Sequence, residues 1–164
     1  MNTVDLRPAT PDDLDFCFRL HQAAMGDYVA AVWGWDETAQ RAYHRGKYRP
    51  HHWKIITVDG TDAGVLVVDH HATEDYLGLI ELHPRYQGRG IGARILRSLL
   101  DAAARRGHDL VLDVLDVNPR ARAFYLRHGF HEEGRHGENG HKIRMRAPLR
   151  TATTTATTPP RPDH

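Results

Sequence analysis

A chain of 164 residues with 40% hydrophobic and 26% charged side chains can bury one full apolar core. With 22 Lys and Arg against 21 Asp and Glu the net charge is only +1, which leaves no electrostatic footprint for nucleic acid or an anionic membrane. The single cysteine, Cys17, excludes a disulfide framework and a cysteine-based zinc site. No run approaches the roughly 18 apolar residues of a membrane span, and MNTVDLRPATPDDL has acids where an export signal is apolar, so a cytoplasmic protein is expected.

TVDLRPA (3–9) reads as a first strand. Thr10 then caps a helix with Pro11 at its first position and acids in its first turn. Leu14, Cys17, Phe18, His21 and Met25 recur with helical spacing and form one stripe. After WGW a second helix spans Asp36 to about Tyr48 and stops before Pro50. Residues 52–71 read as a β-hairpin around a glycine turn, and YLGLIEL (76–82) as a further strand. ARILRSLLDAAARRG (93–107) is a helix with Ile91, Ile95, Leu99 and Ala102 on one face and Gly107 as its cap. DLVLDVLDV (109–117) is a strand, NPRARAFYLRHG (118–129) a helix, and 129–149 a hairpin turning at Asn139-Gly140. A single domain is expected over 1–149, followed by a disordered Thr/Ala/Pro-rich tail at 150–164. The order is mixed α/β, and the strand–helix–strand unit at 76–117 requires a right-handed crossover to a parallel neighbour.

Gly88, Gly90 and Gly92 lie in QGRGIG, between that strand and its helix. A helix N-terminus offers unpaired backbone N–H groups and a favourable dipole, and glycines let a phosphate approach them. The letters also fit G-x-G-x-x-A, the dinucleotide fingerprint, with Asp113 on the next strand. Against that, HPRYQ separates the glycines from their strand, and too few residues follow to complete a dinucleotide-binding sheet.

A second resemblance uses more of the chain. Gln87-Gly88-Arg89-Gly90-Ile91-Gly92 resembles the Gln/Arg-x-x-Gly-x-Gly/Ala pyrophosphate loop of the GNAT superfamily of acyl-CoA-dependent N-acetyltransferases. LIELHP (79–84) resembles the strand before that loop. NPRARAFYLRHGF (118–130), with Asn118, Ala121, Tyr125, Gly129 and Phe130, resembles the family's second cofactor segment. The resemblance covers roughly residues 3–149. It implies one mixed sheet of about six or seven strands, splayed between the fourth and fifth, with about four flanking helices.

The resemblance further implies that acetyl-CoA enters the splay as co-substrate. Its pyrophosphate would rest on the N–H groups of Gly88, Gly90, Ile91 and Gly92. Arg89 would add charge, Gln87 would hold the loop, and Asn118 would belong to the second cofactor segment. Pantetheine would pair with the backbone of Ile80 and Leu82 like an added strand. The Leu82 N–H would face the thioester oxygen, where such a donor is worth about 10²–10³ in rate. An amine then attacks the thioester directly, and Tyr125 matches the acid that protonates the CoA thiolate.

The base has two candidates. Glu81 is the only charge in an apolar run, alternating with Leu77 and Leu79, and could act through a water. Asp113 alternates with Val111, opposite Leu110, Leu112 and Val114. For the acceptor amine, Trp33, Trp35 and Asp36 combine aromatic faces with a carboxylate, which suits a cation. The same residues could instead pack the helices and cap the second one. His136, Glu138 and His141 on the last hairpin are further candidates. The 13 histidines show no metal-ligand spacing, so no metal is expected. The expected activity is acetyl transfer to a small-molecule primary amine by a monomer or homodimer. The alternatives are a protein N-terminus or lysine as acceptor, a CoA-binding module without turnover, and a nicotinamide-dependent oxidoreductase.

Overall fold

The computed structural model describes residues 2–149. Seven strands form one sheet: β1 (Val4–Pro8), β2 (Lys54–Val58), β3 (Thr61–His70), β4 (Glu74–Leu82), β5 (Asp109–Leu115), β6 (His131–His136) and β7 (Lys142–Ala147). Their spatial order is β1-β2-β3-β4-β5-β7-β6. Every neighbouring pair is antiparallel except β4 and β5, which run parallel. Four helices join them: α1 (Leu14–Trp33), α2 (Glu37–Lys47), α3 (Ile91–Arg105) and α4 (Pro119–Arg127). The strand–helix–strand unit read from 76–117 is thus β4–α3–β5, and its crossover makes the parallel pair.

Local chemistry sets the boundaries. The chain enters α1 through a 3₁₀ turn, Pro11–Asp13, in which the Asp13 carboxylate accepts from the Thr10 N–H at 2.8 Å. Asp36 caps α2 by accepting from the Ala39 N–H at 2.8 Å. The β2–β3 hairpin turns through Asp59 and Gly60, both at positive φ. At the end of α3, Gly107 takes φ 73°, and His108 N–H returns to the Ala103 carbonyl at 2.9 Å while Gly107 N–H reaches Ala104 at 3.0 Å. That is the Schellman arrangement, which satisfies the last carbonyls of the helix.

The sheet buries both faces. On one, Leu66, Leu77, Leu110, Leu112 and Met145 pack with Ile91, Ile95, Leu96 and Leu100 of α3 and Tyr125 of α4. On the other, Ile55, Val65 and Val67 pack with Cys17 and Leu20 of α1 and with Tyr48 and Trp53. The α3 stripe is rotated from the expected one. Leu96, Leu100 and Ala103 are buried, while Leu99 and Ala102 lie at its edge, because the helix crosses the sheet off the face that spacing alone selects.

Strand β4 contains one irregularity that matters for the site. Val67 pairs with Leu79 but Val68 pairs with Leu77, so Gly78 is an extra residue on β4. The bulge reverses the alternation. Leu77 faces the α3 side, whereas Leu79 faces the α1 side. The expectation that Leu77 shares a face with Glu81 is therefore corrected: only Leu79 does. Strand β5 pairs with β4 only from Glu74–Leu77 against Asp109–Leu112. Beyond the bulge the two strands part.

Candidate active site

The open half of β4 directs its backbone into that gap. The His83 N–H donates to the Ala63 carbonyl at 2.8 Å, so Ala63 and His83 form a hydrogen-bonded pair of the β3–β4 ladder. Alternation turns the N–H and C=O of Leu82 and Ile80 away from β3, toward the gap. The Gln87 side chain closes over this end by donating from Nε2 to the Leu82 carbonyl at 2.9 Å.

A cavity of about 350 Å³ occupies the gap. Its walls include Ile80, Glu81 and Leu82 of β4 and Gln87, Gly88, Gly90, Ile91 and Gly92 of the loop. Asn118, which caps α4, and Tyr125, in its last turn, also line it. Gly88 and Gly90 hold φ of 74° and 78°, a region that only glycine adopts at no steric cost. Gly92 has an ordinary φ; a β-carbon there would meet Phe124 and Leu82 at 3.8 and 3.9 Å. Two of the three glycines are thus demanded by the turn. It delivers the N-terminus of the 15-residue α3, with its unpaired N–H groups, to the cavity wall. Asn118 caps α4 through Ala121 N–H at 3.1 Å. Tyr125 is buried against Phe124 and Phe130, and burial pushes its phenol up to about 12.

A second cavity of about 370 Å³ lies on the α1–α2 side of the sheet. One face of α2 lines it through Gln40, Tyr43, His44 and Lys47, and Trp53 and Asp69 close its far side. Glu81 borders both cavities. Its side chain is 3% exposed, and Oε2 lies 2.7 Å from Nδ1 of His21 on α1. Oε1 is buried without a partner. For His21, burial pulls the imidazole down but the hydrogen bond and charge of Glu81 outweigh it, so the ring is raised above its ordinary 6.5. His44, stacked on His21 at 6.1 Å, is held at about 4 by burial and then by its neighbours His21 and Lys47.

Five of the residues expected in the site stand elsewhere. Arg89 reaches over the Tyr86 ring at 5.8 Å and does not line the gap. Asp113 borders neither of these cavities; it accepts from Arg144 Nε at 2.9 Å and Nη2 at 3.2 Å, from the Tyr76 hydroxyl at 2.5 Å, and meets His136 at 2.5 Å. Burial would raise its carboxyl, but these hydrogen bonds, Arg144 foremost, bring it to about 2. Asp36 is spent on the α2 cap, and Trp35 packs on Phe18 and His21. Trp33 is half exposed, 6.0 Å from His141 just before β7. Helical spacing alone makes His21 a member of the α1 apolar stripe. A titratable residue at a stripe position was the available signal for it.

Comparison with known proteins agrees with this architecture. Residues 15–130 match the acetyltransferase (GNAT) family, so the chain belongs to that family. A 55-residue stretch is 49% identical to the N-alpha-acetyltransferase RimI of Mycobacterium tuberculosis, and it spans only 34% of either chain. Among solved structures, PaiA N-acetyltransferase from Thermoplasma acidophilum, determined in complex with coenzyme A, superposes with a TM-score of 0.71 at 18% identity over 89% of this chain and 99% of its own. The ribosomal-protein-S18-alanine N-acetyltransferase from Escherichia coli gives 0.64 at 24% identity over 94% and 98%. These likenesses establish the fold, and the dinucleotide reading of the glycines is set aside. Among the described residues no helix is long and apolar enough to cross a membrane, and no group of three or more His, Cys, Asp or Glu side chains is arranged to hold a metal ion.

Proposed function

We propose that this enzyme transfers the acetyl group of acetyl-CoA to the primary amine of a small molecule. The observation that carries the reading is the position of Glu81, which borders the cavity of the splay and the cavity opposite it. Acetyl-CoA occupies the splay, with its pyrophosphate on the loop of Gly88, Gly90, Ile91 and Gly92, beside Asn118. Pantetheine runs along Ile80 and Leu82, and the Leu82 N–H stabilises the oxyanion. The acceptor amine arrives from the α1–α2 side, whose cavity volume suits a compact ligand. The paired His21 and Glu81 take the proton of the ammonium. Tyr125, pushed up to about 12, is protonated at neutral pH and donates to the CoA thiolate. Asp113, pinned low by Arg144, serves as an anchor for β7 and Tyr76.

The stretch shared with RimI favours a second reading, in which the amine is a peptide N-terminus. A thermal-shift series with acetyl-CoA, followed by CoA release against small amines and short peptides, separates the possibilities. Small amines turned over in preference to peptides support the first reading, and the reverse supports the second. Acetyl-CoA binding with no acceptor turned over would indicate a CoA-binding module. Replacing Tyr125 with Phe is expected to lower kcat about 10²-fold, and an unchanged kcat would remove its assigned role.

A further inference from the structure

The proton acceptor in the pair has so far been left undivided. We infer that His21, through Nε2, is the general base, and that Glu81 is the buried carboxylate that orients it. The inference rests on the proposed amine transfer and deepens it.

Accessibility decides between the two groups. The Glu81 side chain is 3% exposed, with Oε2 engaged and Oε1 sealed in. His21 is 22% exposed and lines the amine cavity, and with Nδ1 held by Glu81 the nitrogen left to meet an acceptor is Nε2. A carboxylate on Nδ1–H fixes that tautomer, puts the lone pair on Nε2 and stabilises the imidazolium once it forms. A buried carboxylate with one side-chain partner is itself costly, and it persists where a cation develops beside it.

The ring is held from three elements. Glu81 comes from β4, His44 stacks from α2, and Trp35 lies against it at 6.4 Å from the α1–α2 connection. The titratable neighbours beyond Glu81 are His44 and Lys47, both on α2; the Lys47 charge acts to lower both imidazoles, and His21 acts to lower His44. His44, held at about 4, stays neutral under working conditions, so one imidazole of the stacked pair titrates. Raised above its ordinary value, His21 lies nearer the operating pH than an ordinary carboxylate does, where a base is most effective.

The proton balance closes. The acceptor ammonium gives one proton to His21 Nε2, and the free amine attacks the thioester carbon. As the tetrahedral intermediate collapses, the C–S bond breaks and the CoA sulfur takes the Tyr125 proton. The second amine proton passes through water to the Tyr125 oxygen. His21 returns its proton to solvent in the amine cavity, so one proton leaves per amide formed.

The test uses the full chain with acetyl-CoA and an acceptor amine from the panel. His21→Ala should release CoA about 10²-fold more slowly, lose the acid limb of the pH–rate profile and regain part of its rate with added imidazole. His21→Asn, which keeps a donor to Glu81 but cannot titrate, should be equally slow. Glu81→Gln should release CoA at least tenfold more slowly, because the amide no longer fixes the Nδ1–H tautomer, and should move the remaining acid limb to lower pH, because the imidazole loses the charge that raises it. A His21→Asn enzyme at full rate, or a His21→Ala enzyme with an intact acid limb, would overturn the assignment. Nitrogen-15 NMR of the imidazole gives a readout independent of turnover: the neutral ring should carry its proton on Nδ1, and a proton on Nε2 would also overturn it. Failure of the amine-transfer reading looks different: unmodified enzyme that binds acetyl-CoA yet releases no CoA with any amine.

Discussion

Strands β4 and β5 are paired along their first halves and apart along their second, and opposite means hold the two halves. At the closed end Asp75, 1% exposed, gathers Arg106 at 2.6 Å and His108 and His70 at 2.9 Å each, tying β4 to the end of α3 and the starts of β5 and the β3–β4 turn. At the open end Ile80 and Leu82 have no partner on β5 among the described residues, and a buried carboxylate oxygen on Glu81 has no hydrogen-bond partner among them. The closed half satisfies its polar groups within the protein. The open half leaves part of its polar groups without a partner in the protein. Gly78, where the bulge falls, is the boundary between the two regimes.

Breaking the closed half should have the largest effect on stability. Asp75→Ala removes one partner of a buried cluster whose Arg106 is partly solvated, and should cost about 2–3 kcal/mol. For a chain of this size that lowers Tm by about 5–10 °C, measured by calorimetry. The pH dependence has a definite sign. Burial would raise the Asp75 carboxyl, but hydrogen bonds from Arg106, His108 and His70 hold it well below the usual carboxylate range. Its contribution is therefore complete above the unfolded value, about 3.9, and is lost as pH falls toward the folded one. The gap between wild type and variant should narrow below about pH 4.

The open half should yield to a smaller perturbation aimed at its backbone. A β-carbon on Gly64 of β3 would stand 2.3 Å from the Glu81 carbonyl oxygen and 2.9 Å from Leu82 Cδ2. Gly64→Ala should cost about 2 kcal/mol and weaken acetyl-CoA binding, because the residues displaced line the splay. At Gly78 the nearest atoms to an added β-carbon are 3.5 Å away, an ordinary contact, so Gly78→Ala should stay within about 0.5 kcal/mol of wild type. Equal losses at both glycines would show that the bulge, and not only the close approach of β3, is sterically constrained. The smallest change expected in the site is at the loop: Gln87→Ala removes one hydrogen bond to Leu82, about 1 kcal/mol, and should raise KM for acetyl-CoA about fivefold.

Much of this was legible in the residues. The loop at Gly88–Gly92 and the Asn118-to-Tyr125 spacing act over short distances, through turn conformation and helix capping, and those rules are local. The parity of Glu81 was not legible, because Gly78 becomes an extra residue only when β4 is laid against Val67 and Val68. Asp113 looked free on its strand, and its engagement by Arg144 depends on the register of β7, 31 residues away. Asp36 had two readings, and capping claimed it because the first turn of α2 needs an acceptor. His21 escaped notice since a histidine in an apolar stripe reads as packing until its partner strand is known. The proposed tail at 150–164 lies outside the described residues.

Cys17 has a practical consequence for every assay named above. It is the one cysteine of the chain, fully buried in α1, and burial pushes its thiol up to about 12. A disulfide reagent that reports free CoA will meet no competing thiolate on the folded enzyme, so colour counts product alone. The same reagent reacts with the protein only as it unfolds. One cuvette therefore follows turnover through CoA and loss of the fold through a single stoichiometric thiol.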